Sequence, residues 1–178
     1  MHRLVWLTIP LWLAACNPMP PFNFAPQFSR PSQSKIDADL RSISVTLANP
    51  EETTGRMPPD AADAAPIWRD ALQDAINKSG LFDDDSHRRV NIVVKVLKVD
   101  IPSVGITFET AVDAPYQIID RKDGEAIFDQ VISSTGSVPG DWVFAGIIRR
   151  REAINRAVQN NIATFLNVLY RSPLASKG

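Results

Sequence analysis

Residues 89–101 read Arg89-Val90-Asn91-Ile92-Val93-Val94-Lys95-Val96-Leu97-Lys98-Val99-Asp100-Ile101 and decide the fold. Val90, Ile92, Val93, Val94, Val96 and Val99 all branch at Cβ, which suits a pleated surface better than a helix. Such a run predicts a central strand covered on at least one face. Everything else in the chain is read by how it would lie against this strand.

Upstream, Ile67, Trp68, Ala71, Leu72, Ala75 and Ile76 recur at helical spacing, with Arg69, Asp70, Gln73, Asp74 and Asn77 on the other side. The spacing predicts a helix that begins near Pro66 and stops at Gly80. Leu81 and Phe82 then fold back onto the core. Before it, Pro50, Gly55, Pro58 and Pro59 mark a loop over 49–63. Residues 39–47 alternate Ile43, Val45 and Leu47 with Ser42, Ser44 and Thr46, the period of a half-buried strand.

Downstream, apolar residues alternate over 106–120 (Ile106, Phe108, Val112, Ala114, Tyr116, Ile118), and Pro115 predicts an edge position or a bulge. Arg121-Lys122-Asp123-Gly124 is a hairpin turn. The chain returns through Ala126, Ile127, Phe128, Val131 and Ile132 to Gly136. After a short loop over 137–141, a long helix over 144–170 carries Ile147, Ile148, Ile154, Ala157, Val158, Ile162, Phe165, Leu166 and Leu169 on one stripe. The order β-α-β-β-β-α predicts an α+β two-layer sandwich, with two helices on one face of a four-stranded mixed or antiparallel sheet.

The N-terminal end reads differently. Arg3 precedes a mostly apolar run over residues 4–13, about 15 Å of helix, which is half a hydrocarbon core. That length fits the core of an export signal and not a membrane span. Leu13-Ala14-Ala15-Cys16 follows, and it resembles the bacterial lipobox, whose cysteine receives diacylglycerol before cleavage. The resemblance implies a signal peptide over 1–15 and a mature chain starting at lipidated Cys16. Each buried methylene contributes about 0.8 kcal/mol, so several acyl chains hold such a protein permanently. Asn17 after the cysteine, by resemblance to the Gram-negative sorting rule, implies the outer membrane, facing the periplasm; the inner membrane is the alternative.

Residues 16–34 carry Pro18, Pro20, Pro21, Pro26 and Pro31. This composition predicts a tether of extended polyproline type, reaching about 50 Å. Phe22, Phe24 and Phe28 are more aromatic than a solvated tether requires, and they could pack on the domain or on a partner. A single domain is expected over 35–172, with a tail over 173–178.

Composition narrows the function classes. The 178 residues have a net charge of −1, which gives no drive onto nucleic acid. With 44% hydrophobic and 22% charged residues the chain is globular. One cysteine excludes a disulfide framework or a Cys-cluster zinc site. Asp83-Asp84-Asp85 with His87 lacks the alternation of a calcium loop and reads as a solvated connection. No phosphate loop, nucleophile elbow or metal-binding His pair is present, and no cofactor is implied. Ser133-Ser134-Thr135 reads as the polar end of a strand.

Arg149-Arg150-Arg151 is the strongest charge run, fanning over most of one helical turn. It is a candidate grip on lipid phosphate or an acidic partner. The structural alternative pairs it with a carboxylate such as Asp141 or Glu125. Trp142 beside it is expected at an exposed rim, and Trp68 in the core.

A lipobox, a proline-bearing tether and this element order resemble two groups of Gram-negative envelope lipoproteins. One is the auxiliary lipoprotein of ABC-type and intermembrane lipid-transport systems, similar over Trp68-Arg69-Asp70-Ala71-Leu72, Ser79-Gly80-Leu81-Phe82 and Val90-Asn91-Ile92-Val93-Val94. The other is the lipopolysaccharide-assembly lipoprotein of the outer-membrane translocon, which shares the element order. Arg149-Arg150-Arg151-Glu152-Ala153 with Ala157-Val158-Gln159-Asn160-Asn161-Ile162 also resembles uncharacterised envelope lipoproteins. The resemblance implies a non-catalytic accessory in lipid or lipopolysaccharide transport or envelope assembly, with a protein partner. A lipid- or glycan-binding module is the competing class, and an enzyme acting on an envelope substrate is a third.

Overall fold

The computed structural model describes residues 19–27, 34–101, 106–142 and 145–177. In chain order its elements are β1 (Ser34–Ile36), β2 (Asp39–Leu47), α1 (Ala61–Ser79), β3 (Arg89–Val96), β4 (Lys98–Asp100), β5 (Phe108–Asp120), β6 (Ala126–Val138), α2 (Gly146–Arg171) and β7 (Ala175–Lys177).

The valine-rich stretch is central, as its composition requires. β3 lies parallel to β2, with Val94 opposite Val45, and antiparallel to β5, with Ile92 opposite Ile118. Parallel strands cannot be joined by a tight turn, so α1 serves as the crossover. β5 and β6 form a long antiparallel hairpin, from Phe108 opposite Val138 to Ile119 opposite Ala126. Trp68 of α1 and Asn161 of α2 both reach Tyr116, so both helices cover one face. The architecture is the expected α+β two-layer sandwich.

The sheet has five strands in four lanes, because the run read as one strand over 89–101 is broken at Leu97. Val94 faces Tyr116 but Lys98 faces Asp113, so the register steps across the break. Pro115 falls in the interval of β5 that this lane leaves unpaired. It has no N–H to offer there, which is why a proline is tolerated in a central strand.

Several features differ from the pattern reading, and β6 runs on to Val138, two residues past the end expected at Gly136, because Val138 pairs with Phe108 of β5. α1 starts at Ala61 and carries Pro66 inside it. The residues before the proline include Ala61, Ala62, Ala64 and Ala65, strong helix formers, and the one bond lost is to the carbonyl of Ala62, an exposed residue. Ile147, expected on the buried stripe of α2, is 57% exposed, because the first turn of the helix projects past the sheet. Finally, β1 and β7 pair with each other, Ser34 opposite Lys177. Three-residue strands are too short to leave a periodic signal.

The core lies between the sheet and the helices. Leu72 and Trp68 of α1 and Ala157, Ile162, Phe165 and Leu169 of α2 pack on Val90, Ile92, Val94, Val112 and Ile118. Gly136 sets the seat of α2. A methyl group there would collide with the Ala157 amide and the Ala153 carbonyl. Gly80 ends α1 at φ 60°, its N–H reaching the Ile76 and Asn77 carbonyls.

The proline-rich stretch is partly structural. Phe24 is 1% exposed, with its ring 6.3 Å from that of Trp68, and Phe22 stacks behind it at 5.1 Å. The Asn23 N–H donates to Asn155 Oδ1 at 3.0 Å, and Gln159 Nε2 donates to the Asn23 carbonyl at 2.8 Å. Of the two fates open to these phenylalanines, Phe22 and Phe24 take the domain. Cys16 and Phe28 lie outside the described residues.

Candidate functional site

Both helices begin at the same end of the sheet, because α1 follows the last residue of β2 and α2 runs antiparallel to β6. That end gathers the arginines singled out by the sequence, and each has a different situation. The Arg149 guanidinium donates to the Gly140 carbonyl and lies 5.5 Å from the Phe108 ring centre. Arg151 is held 3.6 Å over the Phe22 ring, 3.2 Å from Asp60 Oδ2 and against the Met19 sulfur. Arg150 is exposed and has no ion pair among the described residues.

Asp141 and Glu125, the carboxylates considered from sequence, are not the partners. Glu125 sits at the far end of the β5–β6 hairpin. The partner of Arg151 is Asp60, which arrives because α1 starts five residues earlier than its periodicity suggests. Asp60 makes no side-chain cap to its own helix, so its carboxylate is free to reach α2.

Two adjoining hollows open on this end. One, of about 250 Å³, is lined by Met19, Pro59, Asp60, Ile147, Arg150, Arg151 and Ile154. The other, of about 260 Å³, shares Pro59 and Arg150 and adds Met57, Val99 and Ile101. Exposed apolar groups surround them: Met19, Ile147 and, beyond Gly140, Ile106 at 82% exposure. Trp142, on the loop before α2, is half exposed, with the Arg156 guanidinium 5.4 Å from its ring centre. Nothing in the periodicity of the chain marked Met19, Met57 or Asp60, since loop residues leave no pattern.

The interior holds one polar cluster. Trp68 Nε1 donates to Tyr116 Oη at 3.3 Å, and Tyr116 Oη donates to Asn161 Oδ1 at 2.9 Å. Asn161 Nδ2 donates to the Ile132 carbonyl and to Ser134 Oγ, which donates to the Ala157 carbonyl. Burial pushes the Tyr116 phenol well above its ordinary value, and the Trp68 N–H opposes this only in part. A phenol that keeps its proton and has its hydrogen bonds made is a structural tie between the layers. Trp68 is buried as expected, and Ser134 takes a structural place. Asn161 was visible only as a polar residue inside an apolar stripe.

At the opposite end, an open groove of about 800 Å³ is lined by polar residues including Asp39, His87, Arg88, Arg89, Asp120, Arg121 and Lys122. Asp120 is its buried member. The Lys122 N–H and then the Arg88 guanidinium at 2.7 Å hold its carboxyl below the usual range. Asp83 is used structurally: its N–H donates to the Ile36 and Ala38 carbonyls, and its Oδ1 is 3.6 Å from Lys35 Nζ. Among the described residues no group of His, Cys, Asp and Glu is arranged to hold a metal. No described helix is long and apolar enough to cross a membrane.

These features define a class by fold: a two-layer α+β domain with a parallel β-α-β unit, an antiparallel hairpin and a long C-terminal helix. No family model matches the sequence, and no curated protein matches it. Among solved structures the chain is similar to XCC0632 of Xanthomonas campestris, a protein of the family model DUF330. The TM-score is 0.55 at 12% identity, over 85% of this chain and 93% of that one, and this likeness is one of fold. A Caulobacter crescentus protein described as a lipoprotein is similar with a TM-score of 0.46 at 17% identity, over 72% and 87% of the two chains. A minor lipoprotein of Acinetobacter baumannii has a TM-score of 0.42 at 12% identity, over 72% and 91%.

Proposed function

We propose that the chain is a bacterial lipoprotein, held at the outer membrane through lipidated Cys16. We read its role as that of a non-catalytic accessory in lipid or lipopolysaccharide transport or envelope assembly. The Leu13-Ala14-Ala15-Cys16 signature after a short apolar run supports the anchor. The filled interior supports an accessory role over a lipid- or glycan-binding module. Phe22, Phe24 and Trp68 occupy the space between the layers and leave about 20 Å³ there. A pocket that encloses a lipid or glycan needs some 300 Å³ or more. The buried tyrosine network spends its polar groups on holding the layers together, which fits a scaffold better than a reacting centre.

Purification of the tagged native protein from membranes tests both parts. The expected result is an acylated Cys16 and stoichiometric co-purification of an envelope transport or assembly protein. A soluble, unacylated product would remove the anchor. Turnover of an envelope substrate, abolished by changing one acidic residue, would replace the accessory role with catalysis.

A further inference from the structure

We propose that the end of the domain where both helices begin is a bilayer-contact face, with Met19, Ile147 and Arg150 resting on the headgroup layer of the membrane that holds Cys16. This rests on the reading of Cys16 as the lipidated residue and adds an orientation to it. The argument starts from reach. Cys16 and Met19 are three residues apart, and three residues fully extended span at most about 11 Å. Met19 itself is fixed to the domain through Arg151, and Phe22 and Phe24 behind it are packed into place. The backbone of Cys16 therefore lies within about 11 Å of this end, whatever path the three residues take.

What the end presents fits a headgroup layer. Ile147 is 57% exposed in the first turn of α2, and Met19, which lines the same hollow, is exposed too. Arg150 lines both hollows, is exposed, and has no ion pair among the described residues. Apolar groups at the acyl boundary with a guanidinium at phosphate level form a recurring interfacial arrangement. The positive ends of the α1 and α2 dipoles both lie at this end, which favours anions. Of the nearby carboxylates, Asp60 pairs with Arg151, Asp63 is exposed in the first turn of α1, and Asp141 lies on the loop before α2. The mature chain, without Arg3, has a net charge of only −2, so the whole-chain field opposes the approach weakly.

The test uses the mature, acylated protein in vesicles of phosphatidylethanolamine and phosphatidylglycerol. Acylation caps the sulfur of Cys16, the sole native cysteine, so an added cysteine can be labelled alone. An environment-sensitive fluorophore is placed by Ile147→Cys at this end, or by Lys122→Cys in the far turn. Brominated acyl chains should quench the label at 147 several-fold more than the label at 122. Arg150→Glu should reduce that difference and its dependence on phosphatidylglycerol. Equal quenching at the two sites, with Cys16 acylated by mass, overturns the contact face and leaves the anchor standing. A label at 147 shielded from aqueous iodide yet untouched by bromolipid overturns it in favour of a second copy of the chain. An unmodified Cys16 overturns both readings.

Discussion

At one end of the sandwich, where α1 and α2 begin, arginines sit among apolar side chains: Arg151 over Phe22, Arg149 over Phe108, Arg150 between Ile147 and Pro59. At the other end, where the helices finish, Arg88 meets Asp120 in a polar groove, and basic and acidic side chains alternate around it. The same residue type does different work in the two places. At the helix starts, guanidinium planes cover aromatic rings and tie an incoming N-terminal segment to the domain. At the helix ends, a guanidinium neutralises one carboxylate that the turn has already buried. The first end is therefore built from dispersion and cation–π contact around one ion pair, Arg151 with Asp60. The second is built from titratable charge.

The largest expected effect breaks the first end. Phe24→Ala empties a buried aromatic site and should cost about 3–5 kcal/mol, read as a lower urea midpoint with little change in slope. A variant as stable as the parent would mean that the segment carrying Phe24 is not part of this end. Next comes Tyr116→Phe, which strands Trp68 Nε1 and Asn161 Oδ1 between the two ends. Denaturant unfolding should show a loss of about 1–3 kcal/mol. Gly136→Ala should lose a similar or slightly smaller amount, about 1–2 kcal/mol, because α2 must shift off β6. Amide exchange of the first turns of α2 would report that shift, and unchanged protection would count against it.

Asp120→Asn acts at the second end and has a smaller effect, confined by pH. Its carboxyl is held below the ordinary value in the folded state, so the charged form stabilises the fold at neutral pH. That contribution is lost as pH falls from the ordinary carboxylate range, about 4, through the lower folded value. Glu52, lowered by Lys95 and the Asn49 N–H, acts in the same sense. Urea midpoints measured from pH 7 down to 3 should fall less steeply in the Asp120→Asn protein than in the parent. An equal slope would mean that the groove does not carry the acid sensitivity. The smallest effect is that of Ile147→Glu, expected within about 0.5 kcal/mol of the parent, since the side chain is already exposed.

Much of the fold was legible because regular elements leave periodic traces. β2 was bounded at 39–47 by its alternation, the stop at Gly80 by glycine chemistry, and the hairpin by Asp123-Gly124. The break at Leu97 was not legible, because a register step depends on the partner strand, and Pro115, read as an edge or bulge, sits instead in a central strand opposite that break. The early start of α1 was hidden by Pro66, and with it the partner of Arg151. The end holding the arginines was half legible: charge and Trp142 stand out in one dimension, while Met19, Met57 and Asp60 meet only in three. Phe22 and Phe24 were conspicuous as aromatic residues among prolines, yet their destination depended on a gap between Trp68 and α2 that no local pattern describes.

The Phe24 seat has a consequence for how such a chain would mature. Asn23 and its hydrogen-bond partner Asn155 are 132 residues apart, so the N-terminal segment cannot lock until α2 has been made and placed. In a chain held at Cys16, the unfolded domain hangs on a leash that runs from residue 16 past residue 34, some 60 Å when drawn out. Folding seats Phe22, Asn23 and Phe24 of it on the domain. Standoff from the bilayer then works as a readout of completion: a finished domain is drawn close, and one that has lost its Phe24 seat drifts away while still anchored.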